Sequence, residues 1–183
     1  SFEVKPSNAD ESYPENLSVL LKYAGELAEN IIVNLNSKNA KRVSDLYTEI
    51  NGKIIRNKMH FEELGCIPNE SNEFKGLYIF GEEQDGKVIP VYVGISRTVF
   101  RRLRQHAWGK NHNQCSLAYL KTSLSNKEIT RKNVINEDML PAKAIIKNYK
   151  VVLIPIPNDY DLYFLEVALA GKFKTKWNSF RTH

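Results

Sequence analysis

The sequence predicts an α+β fold with an N-terminal helical extension, and three observations predict it. Apolar residues recur at three- and four-residue steps through the first part of the chain. The period then changes to that of β-strands at residues 76–96, and a nearly continuous apolar run, YKVVLIPIP, follows at 149–157. Between and after these strands the helical spacing returns.

The elements follow in order. SYPENLSVLLKYAGELAENIIVNL reads as an amphipathic helix opened by the capping-box pair Ser12 and Glu15, with Pro14 in its first turn. Leu17, Leu20, Leu21, Ala24, Ala28, Ile31 and Leu35 form a stripe that must be buried on another element. A second helical pattern, Val43, Leu46, Tyr47 and Ile50, stops near Gly52, and a third, Met59 to Leu64, stops at Gly65. PNESNEFK is a polar linker. Residues 1–70 are thus expected as a helical extension packed on the core that follows.

Strands at 76–81 and 87–96 flank Gln84-Asp85-Gly86, which predicts a hairpin. Arg97 to Trp108 is helical, with Val99 and Leu103 on one side. Cys115 to Leu124 is a further short helix, and the polar stretch from Ser125 to Asp138 has room for one more. The run at 149–157 is a strand apolar enough to be buried on both faces. Asp159 to Lys174 closes the pattern as a helix capped by Asn158 or Asp159.

A chain of 183 residues holds one domain with a real core. Its composition, 42% hydrophobic and 26% charged, is that of a globular protein, and no apolar run approaches the roughly 20 residues that cross a bilayer. The opening residues are polar and acidic, unlike a secretory signal, although processing could have removed one. Cys66 and Cys115 stand apart without a C-x-x-C, which fits two inert thiols in an intracellular, cytoplasmic protein. Two lysines face six acids over residues 1–30, so the net charge of +5 comes from the remainder. RTVFRRLRQHAWGK at 97–110 has four arginines and a lysine with no acid, and residues 171–183 have three lysines and an arginine, again with none. Two unopposed basic patches point to a polyanion partner.

Alternation puts Tyr78 opposite Leu77 and Ile79, and Tyr92 with Gly94 opposite Val91 and Val93, so both hydroxyls can emerge on one face. Tyrosine is also simply a favoured strand residue. Glu166, in DLYFLEVALAGKF, has Leu162, Tyr163, Leu169 and Ala170 as its helical neighbours, within or beside an apolar face. A carboxylate there needs a partner: an arginine at the helix edge, or a divalent cation.

Gly76-Leu77-Tyr78 is followed by Tyr92-Val93-Gly94, then by Arg102 ten residues after the second tyrosine, His106, Glu166 and Asn178. With these spacings the chain resembles the GIY-YIG nuclease family over about residues 74–180, with an insertion at about 111–140. The resemblance implies a small central antiparallel three-stranded sheet flanked by helices. It also implies hydrolysis of a DNA phosphodiester with one divalent ion, Mg2+ or Mn2+, held mainly by Glu166. Tyr78 would deprotonate the attacking water, Tyr92 would support the water or phosphate, and Arg102 would hold the scissile phosphate. His106 matches a histidine one turn further along, expected to point with Arg102 towards one phosphate, and Asn178 an asparagine that braces the site.

A tyrosine with an ordinary pKa of about 10 is a poor base at neutral pH, so the site must stabilise its phenolate; Lys87 and Lys172 are possible helpers. GKNHNQCSLAYLK resembles a segment seen among restriction endonucleases of this family. Arg97, Arg101, Arg104, Lys110 and His112 are candidate DNA contacts, His112 reading more readily as an idle loop residue. The stretch from Asn126 to Asn136 is a candidate for reading base edges or a solvated connector. The expectation is a restriction-like endonuclease on double-stranded DNA, a homodimer because cutting two strands takes two sites. A repair or mobile-element nuclease, and a nucleic-acid-binding module without catalysis, are the rivals.

Overall fold

The computed structural model describes residues 9–182. The chain runs through α1 (Leu17–Leu35), β1 (Lys41–Arg42), a 3-10 turn (Val43–Leu46), β2 (Tyr47–Ile50), β3 (Lys53–Arg56) and α2 (Lys58–Glu63). It continues through β4 (Gly76–Gln84), β5 (Lys87–Ser96), α3 (Val99–Trp108), α4 (Ser116–Ser125), α5 (Asn136–Asn148), β6 (Lys150–Pro155) and α6 (Asp159–Phe173).

The α+β class stands, but the central sheet has four antiparallel strands, in the order β1-β6-β4-β5, where three were expected. The additional edge strand is two residues of the N-terminal region, with Lys41 opposite Val151. A second correction concerns residues 43–56. The stretch expected as a helix is the 3-10 turn followed by the hairpin β2–β3, a sheet of its own. Asn51 and Gly52 both take positive φ, 51° and 79°, which is the two-residue Asn-Gly turn of a hairpin. Apolar residues at 43, 46, 47 and 50 fit a helical period, and the turn chemistry overrides it. The β4–β5 hairpin closes in the same way, with Asp85 at 51° and Gly86 at 79°.

Helix α1 starts later than its capping-box pattern suggests. Asn16 is the cap, its side chain accepting from the Ser18 N–H at 2.8 Å, while the Ser12 hydroxyl donates to Asp10 instead. Asn158 caps α6 through the Asp161 N–H. The polar stretch after α4 forms turns, and α5 then begins at Asn136 and runs past Pro141, which reads in sequence as a helix stop.

Packing divides the sheet into two faces. Leu77, Ile79, Val93 and Val152 point to one side, where α1 and α6 bury Leu20, Ile31, Leu35, Leu165 and Leu169 against them. Tyr78, Phe80, Val151 and Leu153 point to the other, covered by α3, α4 and α5 through Leu103, Leu117, Met139 and Ile146. The N-terminal region is built into both layers, α1 over one face and Val43, Leu46 and Tyr47 in the core of the other. A register shift beside Phe80 and Gly81 makes Val91 an extra residue in β5, so Val91 packs on the same side as Tyr92. Alternation alone puts it on the opposite face.

Candidate active site

Glycine explains how the two tyrosines reach one face. Tyr78 stands opposite Gly94 across the hairpin, and Tyr92 stands opposite Phe80. A Cβ on Gly94 would lie 2.1 Å from Cζ of Tyr78, so only glycine leaves room for that ring. At Gly76 a Cβ would come within 2.0 Å of the Ile154 carbonyl oxygen, the close approach of β6. The tyrosine rings then sit with centroids 6.1 Å apart.

Helix α3 brings up the next two residues. Arg102 is half-buried, and its guanidinium donates to the Gln114 carbonyl at 2.6 Å, to the Ser116 hydroxyl at 2.8 Å and to Gln105 Oε1 at 3.2 Å. His106 is fully buried, and its Nε2 lies 2.9 Å from the Tyr78 hydroxyl. Both stand about Tyr78: the Arg102 charge acts on Tyr78 and on His106, and His106 bonds the Tyr78 hydroxyl. Residues four apart share a helix face, but here one lies at the face's edge and the other at its buried centre.

Burial drives the pKa values. It raises Tyr78 well above the ordinary phenol value, the nearby Arg102 partly opposing it, and raises Tyr92 likewise. His106 is pushed well below the usual imidazole value by burial, with Arg102 adding to the effect, so the ring is neutral. Its Nδ1 has no hydrogen-bond partner among the described residues.

Tyr92, Glu166, Asn178, Ser116, Tyr119 and His112 line a cleft of about 480 Å³ at the β5 edge of the sheet, where α6, α4 and the C-terminal segment meet. Glu166 is half-buried, and among the described residues it has no hydrogen-bond or ion-pair partner. Burial raises its pKa. The arginine partner that its sequence environment allowed is therefore not there, and the carboxylate faces the cleft bare.

Asn178 binds the free edge of β5. Its Oδ1 accepts from the Val93 N–H and its Nδ2 donates to the Val93 carbonyl, both at 2.8 Å, while the Trp177 N–H bonds the Val91 carbonyl at 3.0 Å. The C-terminal segment thus serves as a missing neighbouring strand, beside the extra residue of β5. Tyr78 and His106 do not line the cleft; they stand behind Tyr92.

The other candidate residues disperse. Arg97 is tied to Asp159 at 2.9 Å, and Arg101 and Arg104 line a separate cleft beyond α3. The Lys110 N–H bonds Gln114, and the His112 ring lies 5.7 Å from that of Tyr119. Neither Lys87 nor Lys172 lines the first cleft. Asn126 and Asn136 use their side-chain oxygens to hold a turn and Lys143, and Asn133 uses both ends of its amide within its own turn. Cys66 and Cys115 are buried free thiols, Cys66 pushed up to about 12 by burial.

The sequence reading missed the support of Arg102 by Gln114 and Ser116, since no local pattern announces a contact between a helix and the loop twelve residues on. It also missed Arg131, which lines the cleft and lies 5.3 Å over the Tyr119 ring. Among the described residues no group of three or more His, Cys, Asp or Glu could hold a metal, and no helix is long and apolar enough to cross a membrane. Comparison of the chain with protein-family models, with curated proteins and with solved structures finds no match.

Proposed function

We propose that the chain is a metal-dependent phosphodiester hydrolase acting on double-stranded DNA. Within that class, we read it as a restriction-like endonuclease of the GIY-YIG kind, cytoplasmic and homodimeric. The observation that carries this reading is Glu166, a half-buried carboxylate without a partner among the described residues, facing a cleft that Tyr92 and Asn178 also line.

A single carboxylate fits Mg2+ or Mn2+, which take one or two carboxylates and fill the rest of their shell with water and phosphate oxygens. When bound, such an ion would polarise the phosphodiester and acidify water. The protein groups supply the remainder. Arg102, held by the Gln114 carbonyl and by Ser116 of the cleft wall, keeps further N–H donors for a phosphate oxygen. Tyr92 is the tyrosine that a water in the cleft can touch, and Tyr78 stands behind it with its hydroxyl on neutral His106. Burial disfavours phenolate at Tyr78 and imidazolium at His106 alike, so their hydrogen bond holds the two rings in place behind Tyr92 rather than carrying a proton away. The water-activating role that the family resemblance gives to Tyr78 is therefore assigned to Tyr92, the motif tyrosine that lines the cleft, with Tyr78 and His106 packed behind it and the Arg102 charge favouring its phenolate.

Plasmid incubated with Mg2+ or Mn2+ tests the reading. Discrete fragments support the restriction-like assignment, nicking or smearing favours a repair or mobile-element nuclease, and binding without cleavage under either metal favours an inert binding module.

A further inference from the structure

The cleft beyond α3, about 440 Å³, lies between the β2–β3 hairpin and the outer side of that helix. Its floor is Tyr47, Ile54 and Phe100, and its rim carries Arg56, Lys58, Arg101 and Arg104. Among the described residues, the side chains of Lys58, Arg101 and Arg104 have no ion-pair or hydrogen-bond partner, and all three are exposed. Arg56 is fixed instead: its guanidinium lies 4.2 Å over the Phe100 ring and donates to the Asn72 carbonyl at 3.0 Å and to Asn72 Oδ1 at 2.7 Å.

One acid, Glu73, lines the cleft, and its charge is already engaged. Its carboxylate accepts from the backbone N–H groups of Phe74 at 3.1 Å, Phe100 at 3.1 Å and Arg101 at 3.0 Å, at the positive end of α3. Along α3, Arg102 bonds Ser116, which lines the first cleft, Arg101 follows at about 100° around the helix, and Arg101 and Arg104 line the second. The helix links the two clefts by a run of cations with no acid among its own residues.

We infer that the second cleft is a phosphate-holding groove for the backbone of the same duplex, in which the β2–β3 hairpin and α2 anchor DNA away from the cut. This rests on the DNA reading above. The groove offers charge and an apolar floor, and its one side-chain amide, Asn72, has its oxygen bonded to Arg56, so the groove contributes affinity rather than sequence choice.

Anisotropy of a labelled duplex in EDTA, titrated with salt, tests it without cleavage. The comparison is between wild type, a Lys58→Ala/Arg104→Ala double variant and a charge-matched Lys22→Ala/Lys38→Ala control, each checked for folding by circular dichroism. The cleft variant is expected to bind unrelated duplexes about tenfold or more weaker, with its log-log salt slope shallower by about 2, since each phosphate contact contributes about 0.9. A slope equal to wild type, or a loss no larger than the control's, overturns the groove while leaving the nuclease reading intact. Failure of wild type to bind any duplex overturns both.

Discussion

The ring of Tyr78 rests on the backbone of Gly94, the residue directly opposite it on β5: a Cβ there would stand 2.1 Å from Cζ and 2.5 Å from the hydroxyl oxygen. The ring cannot yield, because its hydroxyl is bonded to His106 and it is packed among Phe80, Tyr92 and His106. Gly94→Ala should therefore destabilise the fold by about 3 kcal/mol, the upper part of the range for overpacking, and disrupt the catalytic face with it. Urea unfolding measures this, and a loss under about 0.5 kcal/mol, the level of an ordinary surface change, would show that the ring has room to move.

Tyr78→Phe removes the hydroxyl and leaves the buried imidazole of His106 with neither nitrogen bonded. The expected cost is about 1–3 kcal/mol of stability. Cleavage should also fall, because the Tyr78 hydroxyl no longer fixes His106 behind Tyr92. In a cycle with His106→Leu the two stability losses should be far from additive, because the second substitution removes the orphaned partner.

Glu166 gives a pH signature. Its pKa is raised above the unfolded value of 4.5, so the folded protein binds its proton more tightly than the unfolded chain does. Below 4.5 both states are protonated and there is no penalty; as pH rises through the folded value, the ionised carboxylate destabilises the fold. Glu166→Gln should therefore raise the melting temperature at pH 7, with the gain fading towards pH 4. Mg2+ should narrow the gap by stabilising wild type alone. Thermal melts at the two pH values check both statements.

Asn178→Ala strips two bonds from the edge of β5, both to Val93. A loss of about 1–3 kcal/mol is expected from the two backbone groups left without partners. Asn178→Asp, which keeps the acceptor for the Val93 N–H but turns the donor into a second acceptor, should lose a comparable amount; hydrogen exchange at the Val93 amide separates the two, with protection kept only in the aspartate variant.

Those bonds also mark where sequence reading stops. The hairpin, the apolar strand at 149–157 and the helix with Glu166 were legible because each carries its own period and its own turn or cap, as Asp85-Gly86 and Asn158 do. Residues 43–50 were misread because their apolar spacing satisfies a helix, and only Asn51-Gly52 reveals the hairpin. β1 was invisible: two residues have no period, and β6 supplies their pairing. In the site, the six residues were legible as a set of spacings, but their depth was not. That His106 faces inward while Arg102 turns to Ser116 depends on the angle at which α3 crosses the sheet, which no local pattern encodes.

On the proposed reading, Glu166 holds the metal ion that cleavage of DNA would require. The direct measurement is plasmid cleavage in Mg2+ or Mn2+ by wild type beside Glu166→Ala, with duplex binding and folding of both checked in EDTA. Wild type should cut in a metal-dependent way, and the alanine variant should bind and fold normally while cutting at least about 100-fold more slowly. A Glu166→Ala protein that cuts as fast as wild type would contradict the account.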